Sequence, residues 1–235
     1  TYSVVNYLGA YDPLLIRWSN VDPNIGPQPE EWKPQLTNTA GFLRVQQGSG
    51  IVTGFRARQE VLVWTDTALN TVQFLGTEEV FALQEISDSI NIIGPNVVAE
   101  ANNNIFWMGT DKFFMYDGRV NTLPCTLKQH VFENMNKTNG YLNFAGINSE
   151  FNEVIWFYCS ASSDTVDSYV IFNYQEQIWY YGSLSRTAWA NSGSIKFPLA
   201  TSSGYVYQHE DGKDNVVTPG ADPTAIDAYI ESADI

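Results

Sequence analysis

The sequence predicts an all-β fold, a β-propeller of roughly five to six blades, and three observations carry that reading. Aromatic residues make up 14% of the chain and the hydrophobic class 44%, while only 16% of residues are charged. Large aromatic and β-branched side chains favour pleated, half-buried strands. Strand-like apolar runs alternate with short polar turns rich in Gly, Asn, Asp and Ser. An aromatic residue also recurs at the matching place of successive runs. Trp64, Trp107, Trp156 and Tyr205 are 43, 49 and 49 residues apart, and Trp18 stands 46 residues before Trp64. A period of about 47 residues with three or four short strands per unit is the pattern of propeller blades. One blade cannot cover both of its faces, so blades stack around an axis. The alternative for the same composition is a β-sandwich with irregular turns.

On this reading residues 1–235 form a single domain, with approximate blades at 11–50, 51–100, 101–147, 148–195 and 196–235. LLIRWS (14–19) is the first strand-like run. NVDPNIGPQPEEWKP (20–34) holds four prolines and no periodicity, and reads as a long loop. VLVWTDTALNTVQFLG (61–76) is strand, short turn, strand, and NIFWMGTDKFFMYDGRVNTLP (104–124) repeats the plan. In LKQHVFENMN (127–136) Leu127, Val131, Phe132 and Met135 fall near helical spacing, which predicts one short helical insert. EVIWFYCSASSDTVDSYVIFNYQEQIWYYGSL (153–184) repeats the hairpin and adds a third strand, and GYVYQHEDG (204–212) is a shorter echo. Alternation in AYIES, within 222–235, favours a terminal strand that completes the first blade.

Charge narrows the function. Twenty-six acids against twelve bases give a net charge of −14. Such a chain has no electrostatic reason to hold DNA phosphates or an anionic membrane. It still suits a surface past which DNA slides without sticking. Two cysteines, Cys125 and Cys159, are too few for a disulfide framework or a four-cysteine zinc site, and Cys159 reads as a buried free thiol. No apolar stretch reaches eighteen residues, so no membrane-spanning helix is expected, and no signal peptide is visible. A chain opening on Thr1 rather than Met reads as a trimmed or processed segment.

Candidate chemistry is sparse. Asp66, Asp111 and Asp117 sit where hairpins turn, and Asp117–Gly118 is a pair that tolerates positive φ, so their carboxylates are expected to satisfy turn donors. No loop supplies the alternating oxygens of a calcium site. His130 and His209 have no metal-ligand spacing, and Glu210 and Asp211 are expected to raise the basicity of His209 at a surface turn. Neither a GxSxG motif nor a repeated sialidase-type hairpin is present, and no enzyme activity or cofactor is expected. Arg56, Arg58 and Glu60 alternate, so on one strand they would share a face. That makes them either a solvated face or a ladder between blades or subunits.

The runs YDPLLIRWSN (11–20), RQEVLVWTDTALNTVQFLG (58–76), IIGPNVVAEANNNIFWMGTDKFFMYDGRVNTLPC (92–125), NSEFNEVIWFY (148–158) and YVIFNYQEQIWYYGSLSRTAW (169–189) resemble tailed-phage virion proteins. Their plan is similar to the nozzle, or packaged-DNA-stabilisation, proteins of short-tailed phages, with a closing strand at Tyr174 to Trp179 and Tyr180. The resemblance covers roughly residues 11–212. It implies a structural tail subunit of the virion, assembled in the host cytoplasm into a homo-oligomeric ring, with six-fold symmetry expected. The ring would extend and close the DNA channel and take part in DNA ejection, next to an adaptor and a fibre or needle. Genomic DNA would pass without specific binding, and Asp66, Asp111 and Asp117 become candidates for the lumen. The competing reading is a carbohydrate-binding or glycan-cleaving propeller used for host attachment.

Overall fold

The computed structural model describes residues 11–20, 29–77, 79–193, 195–212, 214–215, 222 and 224–225. Strands hold 47% of the chain and helix 7%, which fixes the class as all-β. Two strands, β1 (Leu15–Trp18) and β2 (Gly41–Arg44), form an antiparallel pair near the start. The first four-stranded sheet runs β3 (Ile51–Arg56), β4 (Glu60–Thr65), β5 (Leu69–Phe74), β6 (Phe81–Ser87). The second is β7 (Val98–Ala101), β8 (Asn104–Met108), β9 (Phe113–Tyr116), β10 (Val120–Leu123), and the third β11 (Phe144–Asn148), β12 (Glu153–Tyr158), β13 (Ser168–Asn173), β14 (Ile178–Ser183). A fourth has three strands, β15 (Ala188–Ala190), β16 (Leu199–Ser202) and β17 (Tyr205–Gln208). Within each, neighbours in sequence are neighbours in the sheet. The sheets begin at Ile51, Val98, Phe144 and Ala188, steps of 47, 46 and 44 residues. None of them closes on itself.

The middle sheets are covered on both faces. In β12 every residue from Val154 to Tyr158 is buried, and in β8 every residue from Ile105 to Met108. Such strands read as continuous apolar runs rather than as alternation. One core cluster extends from Leu62 and Trp64 through Trp107 and Phe113 to Trp156 and Phe172. A smaller one, Phe144, Ile155, Phe157, Cys159 and Val166, lies with Trp189 packed against it. The helical insert is present as α1 (Lys128–Glu133), and it buries Val131 and Phe132.

Trp64, Trp107 and Trp156 all occupy the second strand of their sheets, β4, β8 and β12. Each is fully buried, and Trp64 meets Trp107 edge-on with ring centroids 5.4 Å apart. The other two anchors differ. Tyr205 lies in the third strand of the fourth sheet and is exposed. The buried residue of the second strand there is Ala200, and its bulky partner across the register is Trp189 in the first strand. Large and small have exchanged strands, so the spacing lands on a residue of another role. Trp18 belongs to the two-stranded β1–β2 pair, with its ring edge-on to Phe81 of β6 at 4.9 Å.

In the loop 20–34, Pro29–Trp32 form one 3₁₀ turn. Of the segment 222–235 only Asp222, Thr224 and Ala225 are described. Thr224–Ala225 (β19) pairs with Asp214–Asn215 (β18), not with β1 or β2. The rest of the predicted terminal strand lies outside the described residues.

Candidate functional site

The first strands of the four sheets converge. Thr53, Gly54 and Phe55 of β3, Val98 of β7 with Asn96 before it, Phe144 and Ala145 of β11, and Ala188 and Trp189 of β15 line one hollow of about 480 Å³. Gly54, Ala145 and Ala188 are the small residues among them, beside the large Phe55, Phe144 and Trp189. Neighbouring first strands are joined directly. Asn96 and Phe144 form a parallel bridge, and Ala145 N–H donates to the Asn96 carbonyl at 2.8 Å. Trp189 lies over Gly146, where a Cβ would stand 2.5 Å from the indole Cδ1. Its Nε1 donates to the Ile147 carbonyl at 2.8 Å. Trp156 Nε1 likewise reaches the Val97 carbonyl at 3.0 Å, from the third sheet to the edge of the second. None of the residues lining this hollow is titratable, while the adjoining cavity between the same first strands, about 380 Å³, is lined by Glu100 of β7.

The aspartates shape turns. Asp66 accepts from the Ser49 N–H and the Ser49 hydroxyl, both at 2.7 Å, which ties the loop before β3 to the β4–β5 turn. Those bonds, the hydroxyl's first, hold its carboxyl below the usual carboxylate range. Asp117 accepts from the Arg119 N–H at 3.2 Å, beside Gly118 at φ 106°. Asp111 is exposed in the turn after β8, where Gly109 N–H donates to the Lys112 carbonyl at 2.8 Å. Asn91 completes this turn: its Oδ1 accepts from the Thr110 N–H at 2.7 Å, and its Nδ2 reaches Asp111 at 3.5 Å. None of the three aspartates lines the hollow.

Arg56, Arg58 and Glu60 do not share one strand face. The chain reverses at Ala57–Gln59, closed by the Ala57 N–H on the Glu60 carbonyl at 2.8 Å. Arg56 therefore ends β3, Arg58 stands in the turn, and Glu60 opens β4. The bridging between sheets falls to Glu60 alone, whose Oε1 accepts from the Tyr116 hydroxyl of β9 at 2.7 Å. Burial and the Glu60 carboxylate push the Tyr116 phenol up.

His209 departs further from expectation. It is half-buried, and its Nε2 accepts from Arg186 Nε at 3.0 Å. Burial, reinforced by the guanidinium, depresses its pKa to about 4 despite Glu210 and Asp211 next in sequence. Adjacency along the chain misses this because Arg186 arrives from the other end of the sheet. His130 instead lies against Tyr181, with ring centroids 4.1 Å apart.

One further cluster joins the third sheet to the segment after β17. Asn148, 1% exposed, donates through Nδ2 to Glu210 at 3.3 Å and to Glu153 at 3.5 Å. Burial, then Glu210, raise the Glu153 carboxyl. The sequence could not have brought these three together, since Glu210 lies 62 positions from Asn148. Cys159 is a buried free thiol and Cys125 is partly buried, its thiol pushed up to about 11 by burial. Among the described residues no group of three or more His, Cys, Asp and Glu side chains converges on a metal position, and no helix is long and apolar enough to cross a membrane. No known protein-family model and no curated protein matches the chain.

Proposed function

We propose that this chain is a β-propeller subunit of a phage tail, a nozzle-like structural protein that assembles as a ring around the DNA channel of the virion. The observation that carries the reading is the convergence of four first strands on one hollow. Sheets of consecutive strands, stepping by 44 to 47 residues around a common centre, favour a propeller over two sheets packed face to face. The likeness of residues 11–212 to nozzle proteins supplies the assembly, with an adaptor and a fibre or needle as neighbours. Its net charge of −14 suits a passage through which DNA moves without being held. The glycan-cleaving alternative needs two carboxylates facing one cleft; the hollow carries none, so that chemistry would have to sit at the separate cleft of about 290 Å³ lined by Glu60, Glu100 and Asp117.

Sedimentation and electron micrographs of the purified chain test this. A ring with an axial hole about as wide as duplex DNA, its wall acidic, is the expected result. A chain that stays monomeric at all concentrations and is missing from virions overturns it.

A further inference from the structure

A second cavity, about 390 Å³, lies between the second and third sheets, away from the hollow of the first strands. Its floor is aromatic. Phe106 of β8 and Phe172 of β13 are buried, and the Tyr174 ring is stacked on Phe106 with centroids 6.4 Å apart. Its rim is made of amides, Asn102, Asn104 and Gln177. Among the described residues none of these three side chains has a hydrogen-bond partner. No charged residue lines the cavity.

That combination selects a ligand class. A phosphate or carboxylate would need a cation or a cluster of backbone N–H groups, and an amine would need a carboxylate or a cation–π cage. A purely apolar ligand would leave the partly buried Asn104 amide desolvated without a partner and make no use of the exposed Asn102 and Gln177 amides. A neutral sugar ring fits both halves of the site. Its hydroxyls donate and accept, as amide side chains do, and its C–H face covers aromatic carbon. The volume lies within the range of small-molecule sites and holds one or two sugar rings.

We propose that this cavity binds a neutral saccharide, with Tyr174, backed by Phe106, as the platform and Asn104 and Gln177 as the hydroxyl-reading groups. The proposal does not rest on the nozzle reading, because it concerns a different surface and needs no ring. Gln177 holds a left-handed backbone conformation, φ 58°, unusual for its residue type, at the turn between β13 and β14. The backbone that carries this rim amide is thus held in a tight turn.

The test is calorimetric titration of the whole chain with maltose, cellobiose and N-acetylglucosamine, with glucuronate and inorganic phosphate as charged controls. At least one neutral sugar is expected to saturate with a dissociation constant of about 1 mM or tighter. Asn104→Ala and Gln177→Ala should each weaken it about tenfold or more, while Tyr205→Ala, on an exposed strand of the fourth sheet, leaves it unchanged. Melting curves of the variants separate lost binding from lost folding. Absence of saturation by all three neutral sugars, tighter binding of the charged controls, or wild-type affinity in both folded amide variants overturns the proposal. Ring formation measured on the same samples is an independent result.

Discussion

The third and fourth sheets are built from the same meander but are held in different ways. In the third, β12 is buried along five consecutive residues and has a neighbour on each side. In the fourth, strands are three or four residues long, Ala200 is the one residue of β16 that is buried, and Tyr205 and Val206 are both exposed. Cross-strand pairing is present in both, so the two sheets differ in burial rather than in pairing. The difference teaches that each sheet draws its stability from being covered by its neighbours. The fourth leans on the third through Trp189 over Gly146.

The most forceful way to break that asymmetry is Trp156→Ala. It should cost about 3–5 kcal/mol, by loss of transfer and cavity energy at a fully buried site. Val206→Ala, at 66% exposure, should stay within about 0.5 kcal/mol. Chemical denaturation of the two variants checks both values. Gly146→Val comes next, because its side chain cannot coexist with the indole of Trp189. It should cost about 1–3 kcal/mol. Hydrogen exchange should rise in β15–β17 and hold steady in β12 and β13; uniform loss of protection would mean that the fourth sheet does not lean on this contact.

Smaller effects sharpen the junction through pH. With a folded pKa of about 4 against an ordinary 6.5, His209 takes up its proton in the unfolded chain first. Stability should therefore fall as pH drops through that window, and His209→Gln should flatten that part of the curve. Glu153 has the opposite sign. Its carboxyl is raised in the fold, so the folded chain holds the proton longer and stability declines as pH rises past the unfolded value. Glu153→Gln should stabilise the chain modestly at neutral pH, read as a small rise in melting temperature. A lower melting temperature would show that the carboxylate's bond with Asn148 outweighs burial and the Glu210 charge.

Much of this architecture was legible in the sequence, and the reasons for the exceptions are physical. VLVW, IFWM and VIWF stood out because second strands covered on both faces need unbroken apolar runs. First strands gave little signal. VAEA, FAGIN and AWA are short and mix small residues with Phe144, Ile147 and Trp189, so no unbroken apolar run marks them. The fourth sheet misled because Trp189 and Ala200 exchange sizes across one pair. The reversal at Ala57–Gln59 escaped because it contains no Gly, Pro, Asn or Asp. The aspartate turns were readable from local chemistry. The cavity between the second and third sheets and the Glu153–Asn148–Glu210 cluster were not, since each gathers residues from separate sheets or connections.

The meander order has a consequence for how the chain reaches its shape. Every sheet is completed by a contiguous stretch, as Ile51–Ser87 shows, so its contacts are short-range in sequence and their loop-closure entropy is small. Each sheet can form as soon as its own stretch has left the ribosome, without waiting for distant segments. The long-range steps are the dockings, Trp156 on Val97 and Trp189 on Ile147. These run in chain order, so synthesis from the N-terminus lays each sheet against one that already exists. A half-made chain then exposes only its newest sheet, which keeps the window for misassembly narrow.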